Sequence, residues 1–445
     1  MMRTVTPCAA ALQSLLFAQA EEAAPTAGLV QRRRRLGGAQ WVQTLVFGWM
    51  RQPDATLEDL ADEAARLGAT ITPQGLDPWF CPEGAECLKR LAREAVGVLL
   101  GTEAAAIPLL RRFTRVSVED CTVVALPACL AAAYPGCGGD DAEGRDQAAL
   151  KVYVRMDLKD GVVTDLALLP GRRPDVTAGQ EAPPLPAGSL RLKDLGFFDL
   201  DMAARDSGNG VHWVGRLPSG VTLRQGDRPA ESIAAFLERQ VGDEVDVWVR
   251  VGRERSLACR LMAVRCPEPV RQKRLRKLAQ RARKKGRPVS VRQRTLCGWT
   301  VLITDLPAEE LTFDEAWVLY RARWQIELLF KLWKGRGGLA RSRGRRGDRV
   351  LCEVLAKLLA VLVQQWLLLT ADPWLDGRAA TRKVRRLRRL LGELVAALDD
   401  DAALEAVLRR IQEELHRLRP RNRRKKKPGT IELLNQPGRA RLGVT

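Results

Sequence analysis

Residues 320–334 read Tyr320-Arg-Ala-Arg323-Trp-Gln-Ile-Glu327-Leu-Leu-Phe-Lys-Leu-Trp-Lys334, and this stretch decides the fold. Taken as a helix with about 100° per residue, it places Tyr320, Arg323, Glu327 and Lys334 within a stripe roughly 60° wide. Apolar side chains cover most of the remaining surface, which predicts that the helix is buried. Because an unpaired interior charge is costly, the stripe needs charged partners. A metal ion for the glutamate and phosphates for the arginine and lysine would supply them, which indicates an enzyme of phosphodiester chemistry.

The spacing Tyr-x2-Arg-x3-Glu-x6-Lys resembles the signature of the insertion sequence 4 family of DDE transposases, and this chain matches all four positions. The resemblance implies a DNA transposase with a divalent-metal site. The alternative for this segment is an amphipathic helix with one internal ion pair, between Arg323 and Glu327 at i,i+4. The rest of the chain must therefore supply further carboxylates and a fold that can carry them.

The charge of the chain points to a polyanionic partner. Its 445 residues allow two or three domains, and its formal net charge is +20. Such an excess attracts nucleic acid first and anionic membranes second. Basic residues cluster in 32–35, 271–287, 341–349, 378–389 and 417–427. The 271–287 run contains no acidic residue, which predicts a solvated helix or loop.

Cysteine usage and hydropathy indicate the compartment. The ten cysteines form no CxxC pair, and His212 and His416 lie far from any cysteine cluster, so a structural zinc site is not expected. The N-terminus shows no basic-then-apolar signal pattern. The most apolar long segment, 350–369, contains Glu353 and Lys357 and predicts a core helix, not a membrane span. These features predict a reduced, soluble, cytoplasmic protein. The family resemblance implies in addition a bacterial protein that associates with the nucleoid when bound to DNA.

The first 110 residues are helical in pattern. Thr56 is a capping start, and Gly68 is expected to end the helix that follows it. Thr72-Pro73 is typical of a second helix start, which would complete a helix-turn-helix. Pro78 would truncate that second helix, however, so a plain helical bundle remains an equal alternative.

From residue 111 the hydrophobic period changes to two. The pattern predicts strands over 115–126, 150–157, 162–169, 190–194, 211–216 and 301–304, with a helix near 200–205. Lys159-Asp160-Gly161 is a good hairpin turn between the second and third strands. This is the order of a ribonuclease-H-like mixed α/β sheet, interrupted by a strand-rich insertion before the last catalytic helix. The predicted segments are a helical DNA-binding domain (1–110), a catalytic core (111–220 and 301–370), the insertion (221–300) and a helical basic C-terminal region (371–445).

Two aspartates are predicted to join Glu327. Phosphodiester cleavage suits a pair of Mg²⁺ or Mn²⁺ ions, and such hard cations prefer oxygen ligands. Asp120 lies mid-strand in an apolar context where aspartate is disfavoured, and Asp120-Cys121-Thr122 resembles the first-aspartate motif of the family. Its neighbour Glu119 would point to the opposite face. The alternative for Asp120 is a strand-edge side chain that faces solvent.

Asp194 is predicted as the second aspartate. Asp194-Leu-Gly-Phe-Phe198 resembles the corresponding family motif, while Asp199 and Asp201 are nearby rivals. The order Asp120, Asp194, Glu327 matches the family, with the long gap between the last two. The predicted metal ligands and catalytic residues are therefore these three carboxylates.

Four further residues are predicted to contact DNA. Arg323 and Lys334 would bind phosphates, and Tyr320 could donate a hydrogen bond to a phosphate near the cut. By resemblance, Trp299 would stack on a base flipped out beside the scissile bond, with core packing at a strand start as the equal alternative. A helix-turn-helix would add Arg66 and Gln74 as weaker candidates.

The resemblance implies a cut-and-paste DNA transposase. It would bind the inverted ends of its own element, pair them as a homodimer, cleave with divalent metal and transfer the 3′-OH strands into target DNA, with no role at a membrane. One alternative is a metal-dependent nuclease or resolvase that never joins strands. The other is a non-catalytic DNA-binding protein. Metal dependence and joined products separate the three.

Overall fold

A computed structural model gives the fold. It describes residues 4–32, 36–98, 107–137, 147–253, 256–284, 286, 288–372, 374, 377–418 and 429–438. Parts of the basic runs 32–35, 271–287 and 417–427 lie outside the described residues.

The ten strands of the described residues, numbered in chain order, belong to a single mixed sheet. They are β1 (Val116–Leu126), β2 (Ala148–Asp157), β3 (Val163–Pro170), β4 (Leu190–Lys193), β5 (His212–Arg216), β6 (Thr222–Arg224), β7 (Glu231–Ser232), β8 (Glu244–Val251), β9 (Leu257–Arg265) and β10 (Trp299–Thr304).

Helices precede the strands, lie between them and follow them along the chain. They are α1 (Val5–Gln13), α2 (Ala20–Thr26), α3 (Gly38–Arg51), α4 (Leu57–Arg66), α5 (Pro73–Leu76), α6 (Pro82–Glu94), α7 (Pro108–Arg111), α8 (Asp175–Glu181), α9 (Leu200–Gly208), α10 (Ile233–Glu238), α11 (Glu268–Lys284), α12 (Val291–Cys297), α13 (Phe313–Ala322), α14 (Trp324–Gly335), α15 (Gly347–Leu369), α16 (Gly377–Ala396), α17 (Asp401–His416) and α18 (Thr430–Asn435). The predicted mixed α/β class is confirmed.

The chain divides into two compact units, each built from stretches that are distant in sequence. The first comprises Met1–Ala105, Asp120–Ala178 and Trp324–Arg423, and the second comprises Ala106–Glu119, Gly179–Arg323 and Arg424–Thr445. The domain boundaries predicted from the sequence pattern in the previous subsection stay a prediction.

The first unit has a helical core. Helix α15 is buried along almost its whole length, and α3 and α6 pack against it. By length and composition α15 is apolar enough to cross a membrane, but its apolar stretch lies wholly inside the protein. The buried pair of Lys357 and Glu353 (2.7 Å) lies on this helix, and Glu353 also accepts a hydrogen bond from the Ser342 hydroxyl (3.0 Å). The prediction of a core helix is confirmed.

The same unit contains the predicted hairpin. Strands β2 and β3 pair antiparallel, and Gly161 adopts φ +75° in the turn between them, which a side chain would disfavour. The strand order on this side of the sheet is β3-β2-β1. Period-two patterning and turn chemistry therefore gave the correct local structure.

The predicted helix-turn-helix is only partly formed. The Thr56 hydroxyl accepts a hydrogen bond from the Asp59 amide and caps α4, and Gly68 follows the helix with φ +78°, as predicted. Helix α5 has only four residues. Pro78 lies in the single 3₁₀ turn that follows, because its ring cannot continue an α-helix.

The second unit contains the remaining sheet, in the order β1-β4-β5-β10-β9-β8-β6-β7. β1 pairs parallel with β4 and β4 pairs parallel with β5, whereas β10 pairs antiparallel with both β5 and β9. Strands β6 to β9 come from the segment predicted to be strand-rich, and they extend the same sheet beyond β10. Trp213, Phe236 and Leu261 lie in the apolar cluster beneath it.

Candidate active site

Asp120 and its neighbour Glu119 have different environments on β1. Asp120 is half-buried, and its carboxylate accepts a hydrogen bond from the Cys121 amide at 2.8 Å. Glu119 is fully buried and forms an ion pair with Arg191 of β4. The opposite faces predicted for the two carboxylates are consistent with this difference. Glu119 therefore takes part in a buried ion pair, and Asp120 remains the predicted catalytic carboxylate.

A buried ion network fixes β1 against β4. The Arg191 guanidinium contacts Glu119 and also Asp206 of α9, with Nε 3.0 Å from the Asp206 carboxylate. Lys193 Nζ lies 3.0 Å from the same carboxylate. Burial lowers the pKa of Lys193, and the charge of Asp206 opposes this shift. Two cations therefore contact two carboxylates inside the second unit, directly beside both predicted aspartates in sequence.

Asp194 follows β4 and is held by two residues of the signature motif. The Tyr320 hydroxyl donates a hydrogen bond to its Oδ1 at 2.9 Å, and Arg323 Nη2 lies 3.6 Å from Oδ2. Burial and then the charge of Asp194 raise the pKa of Tyr320, so the phenol stays protonated at neutral pH and acts as a donor. The structure thus brings Asp194 together with two residues of a motif that lies far from it in the sequence.

The rivals of Asp194 have other environments. Asp199 caps α9 by accepting hydrogen bonds from the amides of Asp201 and Met202, and it also accepts one from Gln180. Burial would raise the pKa of Asp199, but these hydrogen bonds lower it overall. Asp201 is exposed in the first turn of the helix. The capping role of Asp199 favours Asp194 as the aspartate available for chemistry.

The signature stretch differs from the single helix predicted for it. Helix α13 ends at Ala322 and α14 begins at Trp324, with Arg323 between them. The Arg323 amide bonds to the Tyr320 carbonyl, three residues back, at 3.3 Å, which is a tighter turn than an α-helix makes. A uniform 100° rotation therefore does not apply across Arg323. Glu327 is half-buried in the first turn of α14.

The expectation of burial on nearly every side of α14 is wrong at its start. Trp324 is 48% exposed, and Lys331 Nζ lies 4.8 Å from the centre of its ring. Residues three and four apart share a helix face, so Trp324, Glu327 and Lys331 form one row. Lys334 lies further along α14, half-buried, with its pKa lowered by burial. Trp324 is the residue that the sequence pattern missed, because periodicity alone assigned it to the apolar surface.

Trp299 is buried at the start of β10. It is 4% exposed and belongs to the apolar cluster of the second unit. The Arg265 guanidinium lies 4.4 Å from the centre of its ring. These contacts favour core packing in the DNA-free protein, and a role for Trp299 in base stacking remains a prediction.

The predicted carboxylates fit Mg²⁺ or Mn²⁺ by donor type, since both ions prefer oxygen ligands. In the described part of the chain, no group of three or more His, Cys, Asp or Glu side chains is close enough to hold a metal ion. Mg²⁺ is commonly held by one or two carboxylates together with substrate phosphates, not by a complete protein cage. The half-buried Asp120 and Asp194 suit that mode of binding.

Comparison with known proteins adds an independent finding. Residues 120–363 match the family model described as Transposase DDE domain. The chain is 27% identical over 364 residues to the transposase of insertion sequence element IS231B from Bacillus thuringiensis subsp. berliner, covering 77% of this chain and 75% of the relative. It is 22% identical over 363 residues to the transposase of IS1151 from Clostridium perfringens, covering 77% and 76%. The matched segment begins at Asp120 and includes Asp194 and Glu327.

Proposed function

Because this chain belongs to the transposase DDE domain family, we propose that it is the transposase of an insertion sequence. It binds the inverted ends of its element as a homodimer, cleaves them with divalent metal and transfers the 3′-OH strands into target DNA. The observation that carries the proposal is the family segment 120–363, which contains all three predicted carboxylates. Relatives named as insertion sequence transposases, aligned over about three quarters of both chains, support it.

The sheet supports a ribonuclease-H-like catalytic core of the insertion sequence 4 type. Strand order β3-β2-β1-β4-β5, with β1, β4 and β5 parallel, is the order expected for that fold. In the register of β1 with β4, Val118 pairs with Leu192. Asp120 and Asp194 each come two residues later, and side chains two residues apart share a face of a strand. This register supports the proposal that Asp120 and Asp194 serve one metal site.

In the proposed mechanism the protein supplies ligands, positioning and charge. Asp120, Asp194 and Glu327 would hold the divalent ions, which would supply activation of the attacking oxygen and stabilisation of the leaving oxygen. Tyr320 and Arg323 keep the Asp194 carboxylate oriented before DNA arrives. On DNA binding, Arg323 and Lys334 bind phosphates near the cut, where a guanidinium can form two parallel hydrogen bonds.

Joined products separate the proposed function from its first rival. A pre-cut duplex that ends in the gene's own flanking sequence, with a free 3′-OH, is incubated with a supercoiled plasmid and Mg²⁺. A transposase covalently joins that 3′-OH to the plasmid, whereas a nuclease or resolvase only nicks it. Nicked plasmid without joined product, at any protein concentration that cuts, contradicts strand transfer.

Tyr320→Phe tests whether the Tyr320 hydroxyl orients the Asp194 carboxylate for metal binding. The variant removes the hydroxyl that donates to Asp194 but keeps the ring. Loss of a partner that orients a metal ligand typically costs about 10–100-fold in metal affinity or activity. We therefore expect half-maximal cleavage to need about tenfold more Mg²⁺. Tyr134→Phe is the matched control, and an unchanged Mg²⁺ requirement for Tyr320→Phe would exclude this role.

Trp324→Ala tests whether the exposed indole beside Glu327 contacts DNA. Stacking of a base on an aromatic side chain is worth about 1–3 kcal/mol, so we expect the Kd for single-stranded or unpaired flank DNA to rise about 5–150-fold. Trp324→Phe should retain most of the affinity. Trp248→Ala is the matched control, because Trp248 is 50% exposed on β8. Equal affinities of the two alanine variants would show that Trp324 makes no such contact.

A further inference from the structure

Helix α11 carries a basic surface outside the signature motif. It has 17 residues, none of them buried. At 100° per residue, six exposed cations fall within a stripe about 160° wide that contains no acidic residue. We call this stripe the α11 basic face, and it consists of Lys273, Arg276, Lys277, Arg281, Arg283 and Lys284.

The α11 basic face is not neutralised by the protein. Within the described ranges, none of its six side chains forms an ion pair, and the acidic residue of the helix, Glu268, pairs with Arg271 (3.2 Å). The basic loop after α14 differs, because Arg341 pairs with Asp54 there (3.3 Å). Like charges at i,i+4, such as Lys273 and Lys277, destabilise a helix. The face is therefore unfavourable in the free protein and suits a polyanionic partner.

The helix is fixed to the sheet on its other side. Arg274 donates hydrogen bonds to the Trp299 carbonyl and to the Thr300 hydroxyl, both at 2.8 Å, at the start of β10. Leu275 and Leu278 lie on this side and are partly buried. The six cations are therefore presented by an anchored helix, not by a flexible tail.

The geometry points to duplex DNA as the partner, and we propose that the α11 basic face binds its phosphates without regard to sequence. From Lys273 to Lys284 the helix rises about 16 Å, and duplex DNA carries one phosphate charge per about 1.7 Å of its axis. A membrane-surface helix would need an apolar face free to enter lipid, whereas Leu275 and Leu278 face the protein. This surface is additional to the catalytic residues of the proposed function.

The test measures binding alone, in EDTA, so that it is independent of cleavage. Lys273→Gln, Lys277→Gln and Arg281→Gln are combined, and the affinity for a labelled 30-base-pair duplex of scrambled sequence is followed against salt concentration. Each lost phosphate contact reduces the slope of log K against log salt by about 0.9. We expect the magnitude of the slope to fall by about 2–3, with affinity at least tenfold weaker at about 0.1 M salt.

Two control variants show whether the change in slope comes from the α11 basic face or from a general loss of positive charge or of folded protein. Combined Arg409→Gln, Arg410→Gln and Arg417→Gln removes the same charge from acid-paired side chains and should leave the slope nearly unchanged. Lys273→Arg with Lys277→Arg keeps the charge and should preserve the slope. Equal slopes for the two glutamine variants would overturn the proposal. A loss of affinity seen only with DNA of the gene's own flanking sequence would also overturn it. So would a loss of binding to phosphatidylserine vesicles without any loss of binding to the scrambled duplex.

Discussion

Glu327→Gln is expected to abolish metal-dependent cleavage of DNA while leaving DNA binding intact. Glutamine keeps the size of the side chain but removes the charge that holds a divalent ion. Metal-ion stabilisation of a phosphodiester transition state is worth several kcal/mol, so the cleavage rate should fall by at least about 10³-fold. The measurement is the initial rate of cleavage of flank DNA in Mg²⁺, together with DNA affinity in EDTA.

The control for this variant is Glu309→Gln, because Glu309 is an exposed carboxylate that lies outside the signature motif. It should cleave at the wild-type rate. Asp120→Asn and Asp194→Asn should each reproduce the effect of Glu327→Gln. A Glu327→Gln protein that retains more than about a tenth of the wild-type rate would exclude Glu327 as a metal ligand.

Arg191→Met is expected to cause the largest loss of stability. It removes the guanidinium that contacts both buried carboxylates, Glu119 and Asp206. Removing one partner from a buried ion pair typically costs about 3–5 kcal/mol, because the remaining charge stays desolvated. The measurement is the free energy of unfolding in urea, followed by circular dichroism.

Arg205→Met is the matched control, since Arg205 is exposed on α9 in the same unit. Surface substitutions of this kind usually change the free energy of unfolding by less than about 0.5 kcal/mol. Glu119→Gln should cost less in the Arg191→Met background than in the wild type, because the two residues interact directly. Equal costs of Arg191→Met and Arg205→Met would show that the network adds nothing to stability.

Local sequence signals predicted the elements that carry the candidate site. Alternation with period two placed β1, β2, β3 and β4 within a few residues, and Gly161 marked the hairpin turn. These signals are local, since side-chain period and turn chemistry depend on neighbouring residues. The same kind of reasoning correctly made Pro78 a barrier to a long second helix in the N-terminal region.

Tertiary contacts could not be predicted in this way. Periodicity did not show that Tyr320 and Arg323 would bond to Asp194, since 126 residues separate Asp194 from Tyr320. Periodicity also did not distinguish the exposure of Trp324 from that of Trp299, although Trp324 is about half exposed and Trp299 is buried. Both residues are tryptophans, so their type is the same, and only tertiary packing determines which of them is exposed to solvent.

The most direct test of the account maps DNA ends. A supercoiled plasmid that carries the gene's own flanking DNA is incubated with the wild-type protein in Mg²⁺ or in EDTA, and every new 3′-OH end is located. The account predicts ends at the boundary of the flanking repeats, in Mg²⁺ only. Binding to the plasmid without metal-dependent ends at that boundary would contradict it and would leave a DNA-binding protein without catalysis.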